Sequence, residues 1–168
     1  MLVEILGRCC SFPVIQAYAG SPLCGGIAYV APPDRHLLVS SGRIAITDDP
    51  ARNYNRPSVD ALFQSLALEF GKRLIVVVLS GRLTDGAIGV DKVKANGGRV
   101  IVQDPLTATH DGMPNAVISS GCADFVLPVD SIASALTALT MVPGSTELFP
   151  VSMPLWLNRR GASLNSPI

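Results

Sequence analysis

The chain has 168 residues, and its 13 Lys and Arg balance its 13 Asp and Glu. Zero net charge speaks against a nucleic-acid binder, which needs an excess of clustered cations. No apolar run approaches the roughly 18–20 residues of a bilayer span, so no membrane insertion is expected. With 48% hydrophobic and 15% charged residues, the composition suits one α/β domain whose strands are buried on both faces.

The opening "MLVEILGRCC" lacks a basic leader and carries Glu4, against a signal peptide. Leu2, Ile5 and Leu6 mark residues 1–8 as the end of a helix. A helix that begins at the first methionine without a start signal reads as part of something longer. Short strands follow at 13–17, 27–30, 36–39 and 43–47. "HLLV-SSG-RIAIT" predicts a hairpin closed by Ser40, Ser41 and Gly42. Residues 48–57 form a polar loop.

"SVDALFQSLALEFG" is the clearest helix, with Ser58 as N-cap and Gly71 as stop. Val59, Leu62, Phe63, Leu66, Ala67 and Phe70 recur at helical spacing on one face. A buried strand over 74–79 leads to a turn around Asp85 and a helix over 86–95 that ends at "NGG". Strand "RVIVQ", a loop, a short helix over 114–120, strand "DFVLP" and helix "SIASALTAL", capped by Ser131, complete the pattern. The alternation predicts a doubly wound, mainly parallel sheet with one hairpin. Residues 1–141 are read as one domain, and the Pro-, Gly- and Ser-bearing stretch 142–168 as an irregular tail or linker.

In such sheets, functional groups gather at the carboxyl ends of the strands. Asp85 stands there, just past "LIVVV". It can cap the helix that follows it, or orient a histidine as the third member of a serine-hydrolase triad. His36 begins a hairpin strand and is read as structural. His110 lies in a loop, solvated or available as a base. No serine occupies a G-x-S-x-G elbow, and Ser21-Pro22 reads as a turn. Ser80 ends the strand and offers a supporting hydroxyl. Gly81, Gly86 and Gly89 form no phosphate-binding pattern. Cys9, Cys10, Cys24 and Cys122 show neither CxxC nor zinc spacing. They are read as reduced cytosolic thiols, and neither metal nor cofactor is expected.

Five segments carry a resemblance: "YVAPPDRHL" (29–37), "NRPSVDALF" (55–63), "VVVLSGRLTDGAIGV" (76–90), "VQDPLTATHDGMP" (102–114) and "CADFVLPVDSIA" (122–133). In this order they resemble the CheB family, the catalytic domains of chemotaxis receptor methylesterases. The resemblance covers about residues 1–140. It implies a cytoplasmic serine hydrolase that removes methyl esters from receptor glutamates, and in many members deamidates receptor glutamines. The implied partners are the cytoplasmic domains of methyl-accepting receptors, with a receptor methyltransferase as a further candidate.

The family's triad aspartate lies in an "LTGMGxDGA" segment, here "LSGRLTDGA", so the role falls on Asp85. Ser80, Gly81, Arg82 and Leu83 would then line the cleft and its oxyanion site. The departures are specific. Arg82 and Leu83 replace Met and Gly, and the replaced Gly stands where a positive φ is expected. Asn55 replaces a His before "RPSVD". The family's serine and histidine belong to an opening β-α-β unit that the resemblance does not find in this chain. Losing it would expose the edge of the sheet, an invitation to pairing. The expectation is a CheB-type domain inactive by itself, with a non-catalytic binding or remnant domain as the alternative.

Overall fold

The computed structural model describes residues 2–141. The proposed tail over 142–168 lies outside the described residues. The chain opens with helix α1 (Leu2–Cys9), then strands β1 (Val14–Gln16) and β2 (Ala28–Val30), which pair in parallel with Ile15 opposite Tyr29. Strands β3 (His36–Ser40) and β4 (Arg43–Thr47) form the expected antiparallel hairpin. Ser40 pairs with Arg43, so the turn is Ser41-Gly42 alone. Both turn residues have positive φ, 51° and 69°, the backbone that matches the twist of a two-residue hairpin.

Helix α2 (Val59–Phe70) begins at Ser58, whose hydroxyl accepts from the Ala61 N–H. It stops at Gly71, where φ is +51°. The main sheet has three parallel strands in the order β5 (Ile75–Val78), β6 (Arg99–Gln103), β7 (Phe125–Leu127). Helix α3 (Gly89–Ala95) joins the first two strands, and α4 (Gly112–Ser119) the last two. Helix α5 (Val129–Met141) follows β7.

The sheet is covered on both faces. Val76, Val78, Val100 and Val102 pack with Phe63 and Ala67 of α2, Val90 and Val93 of α3, and Val117 of α4. On the other face, Ile101 packs with Ile132 and Leu139 of α5, flanked by Ile75, Val77, Phe125 and Leu127. This is the doubly wound arrangement that the alternating elements predict. Leu62 faces a third, smaller cluster, with Leu37 and Ile44 of the hairpin and Ala17. The α2 stripe is thereby shared between two clusters.

Three expectations are corrected. The strand expected to be buried over 74–79 is buried only at alternate residues: among the described residues β5 pairs with β6 alone, and Val76 and Val78 are buried while Ile75 and Val77 are half-buried. The fully buried strand is β6, flanked on both sides. Helix α3 begins at Gly89 rather than 86, because the chain first makes turns through Gly86, where φ is +98°. Helix α5 begins at Val129, so Ser131 lies inside it rather than at its cap.

Candidate active site

Asp85 sits past the C-terminal end of β5 and is 4% exposed. Burying a carboxylate is costly unless it is hydrogen-bonded, and this one is. Its Oδ1 accepts from the Ser58 hydroxyl and the Asp60 N–H, both at 3.0 Å. Its Oδ2 accepts from the Val59 N–H at 2.8 Å. The capped helix is therefore α2, 25 residues or more back in the chain, and not the helix that follows Asp85. The N-terminal amides and helix dipole of α2 supply the positive end of this interaction.

Asp60 does the converse. From the first turn of α2 its Oδ1 accepts from the N–H groups of Gly89, at 2.7 Å, and Ile88, at 3.0 Å. It thus caps α3, whose own leading residue Ile88 makes no side-chain cap. Burial pushes the Asp60 carboxyl above its usual range, and the nearby Asp85 adds to this, while the Gly89, Gly86 and Ile88 amides oppose it. The two helices touch closely here. A Cβ on Gly89 would lie 2.8 Å from the Phe63 Cβ and 3.0 Å from the Asp60 Cα. No motif in the sequence singles out Asp60. Its signal was position: it lies three and seven residues before Phe63 and Ala67, on the buried face of the helix.

A serine, a histidine and an aspartate meet at this point, but not in catalytic order. His36 is 1% exposed. Its Nδ1 accepts from the backbone N–H of Ser58 at 3.2 Å, and its Nε2 lies 3.1 Å from the Pro50 carbonyl. A neutral ring carrying its proton on Nε2 satisfies both neighbours. The Ser58 hydroxyl donates directly to Asp85, with no imidazole between them, and Ser58 is 2% exposed. A triad needs the imidazole between hydroxyl and carboxylate. This trio fixes the start of α2, which agrees with a structural His36.

The segment Ser80–Leu83 forms a loop stitched to the one that carries His110. The Ser80 Oγ accepts from the His110 N–H at 2.9 Å, and the Gly81 N–H donates to the His110 carbonyl at 2.9 Å. The Ser80 N–H donates to Gln103 Oε1 at 2.8 Å. The Arg82 Nε donates to His110 Nε2 at 3.4 Å. The exposed His110 is thus held beside Arg82. Leu83 adopts φ +63°, the left-handed region expected of the Gly that it replaces, and is 57% exposed. Asn55 bonds within its own loop, to Asn53. A groove of about 540 Å³ is lined by Leu2, Val3, Val30, Ala31, Pro33 and Pro57, among others.

The cysteines of the described residues are free thiols. Cys122 is fully buried, and burial pushes its thiol up to about 11, which leaves it unreactive. At the other end of the strands, Lys94 of α3 pairs with Asp124 before β7.

The match to known proteins follows this geometry. The family model described as CheB methylesterase matches residues 1–136. The chain belongs to the CheB methylesterase family. It is 37% identical over 137 residues to a relative in Leptospira interrogans, covering 81% of this chain and 71% of that protein. It is 41% identical over 130 residues to a protein-glutamate methylesterase/protein-glutamine glutaminase of Hydrogenovibrio crunogenus, covering 75% of this chain and 35% of that protein. Among solved structures, the CheB methylesterase catalytic domain of Thermotoga maritima matches with a TM-score of 0.79 and 34% identity, over 83% of this chain and 76% of that one. This CheB-family chain thus spans about a third of the length of several of its curated relatives. Among the described residues, no helix is long and apolar enough to cross a membrane.

Proposed function

We propose that this domain serves the hydrolysis of glutamate methyl esters, and of glutamine amides, on the cytoplasmic domains of methyl-accepting chemotaxis receptors. Asp85 is the carboxylate of its Ser-His-Asp chemistry. The observation that carries this reading is the Asp85 carboxylate itself: it is buried at the C-terminal end of β5, held by three donors, with acceptor capacity left on Oδ2. A carboxylate offers about four acceptor sites, so one further N–H can be received.

In this chemistry Asp85 receives the N–H of an imidazole, fixes its tautomer and stabilises the imidazolium. The imidazole takes the proton of a serine hydroxyl, whose oxygen attacks the side-chain carbonyl. The imidazolium returns that proton to the leaving group, as methanol from an ester or ammonia from an amide. Water then cleaves the acyl-serine by the same route. Ser80, Gly81, Arg82 and Leu83 line the cleft beside Asp85, and their backbone belongs to the oxyanion side. The functional unit is residues 1–141.

Among the described residues no histidine reaches Asp85 in catalytic order, so the serine and imidazole are not assigned to residues of this chain. The 168-residue chain alone is expected to release no methanol from methylated receptor fragments. Turnover that survives Asp85→Ala would sink the reading. A second reading, a non-catalytic receptor-docking domain, is favoured by Arg82 and Leu83, which put a cation and an exposed apolar side chain at the cleft loop. Pull-down with receptor cytoplasmic fragments tests it. Retention that is lost when Arg82 and Leu83 are both replaced by Ala is its expected signature, and no retention at micromolar concentration counts against it.

A further inference from the structure

Helices α2 and α3 exchange carboxylates. Asp85, from the turn leading to α3, fills the first amides of α2, and Asp60, from α2, fills the first amides of α3. The exchange fixes the orientation of the Asp85 carboxyl group. Oδ1 is occupied by two donors, Ser58 Oγ and Asp60 N–H, and Oδ2 by one, Val59 N–H. The remaining acceptor site is on Oδ2. Ser58 is itself held from behind, by His36 through its backbone N–H. Neither helix start can shift without moving the other, because Gly89 packs directly on the Asp60 backbone.

We propose that Asp60 is a positioning residue for Asp85. By gripping the Ile88 and Gly89 amides it fixes the 85–89 turn, so that Oδ2 is the oxygen presented to the histidine N–H. This rests on the reading of Asp85 as the triad carboxylate, and deepens it by naming the residue that aims it and the oxygen that works.

The test reads the Asp85 carboxyl carbon and the Val59 amide by NMR in the full chain. In Asp60→Ala, with the core methyl signals of Val78 and Val100 unmoved, both reporters shift from their wild-type positions. Asp60→Asn, which keeps the acceptor for Ile88 and Gly89, brings them back. A cap that merely stabilises would lower the melting temperature and leave both reporters in place. That result, or failure of Asn to restore them, overturns the proposal. If Asp60→Ala does not fold, the wild-type chain decides. Hydrogen-bond scalar couplings are expected from the Ile88 and Gly89 amides to the Asp60 carboxyl carbon, and from the Val59 amide to that of Asp85, and their absence overturns it. None of these readouts needs turnover. Ester hydrolysis that survives Asp85→Ala would instead remove the functional reading and leave the exchange standing.

Discussion

Leu83 shows how much one residue can carry. Its φ of +63° places a branched side chain in the left-handed region, which costs L-residues about 1–2 kcal/mol. More than half of the side chain is exposed, so little burial offsets that cost. Leu83→Gly is expected to stabilise the fold by about 0.5–1 kcal/mol in urea titration, after the larger unfolded-state entropy of Gly is counted. The strain was legible in the sequence, since the motif puts Gly at this position. Asp60 was less legible, and its prediction concerns pH. Its folded pKa is raised above the ordinary 3.8, so the native state binds more protons than the unfolded one between 3.8 and the raised value. Its contribution to stability is full below that window and is lost as pH rises through it. In Asp60→Asn this loss is expected to vanish. The difference between wild-type and variant stability, measured by denaturant titration across the acid range, should step within the window and be flat above it.

At the scale of elements, local signals placed starts and stops well where the partner was local. Ser58 and Gly71 bound α2, and alternating residues gave the hairpin. They failed where a terminus is closed from a distance. The start of α3 is set by Asp60, 29 residues earlier, so no cap appears in its own sequence. The hairpin turn is likewise held from afar: Glu69 of α2 accepts from the Ser41 and Gly42 N–H groups at 2.9 and 2.7 Å. These two bonds clamp the hairpin to α2. Glu69→Ala is expected to cost about 1–2 kcal/mol and to speed hydrogen exchange at the Ser41 and Gly42 amides. Glu69→Gln, which keeps one acceptor, should lose roughly half as much.

Across the whole molecule, the buried Lys94–Asp124 pair ties α3 to the start of the last strand, with Asp124 Oδ2 also accepting from the Val100 N–H at 2.7 Å. Removing one member leaves a buried charge alone. Lys94→Met is expected to cost about 3–5 kcal/mol, while replacing both members with apolar residues of similar volume should be much milder, as melting curves of the single and double variants would show. The periodicity of the sequence determined the order of helices and strands, and through it the doubly wound sheet, because burial of apolar faces repeats at 3.6 and 2 residues. The motif around Asp85 also singled out that acid as the candidate carboxylate. Only the tertiary structure decided what that acid touches, which helix it caps, and that Asp60 and Lys94 are buried. Those outcomes depend on contacts between residues far apart in the chain, and a carboxylate or ammonium reads the same in sequence whether water or a partner surrounds it.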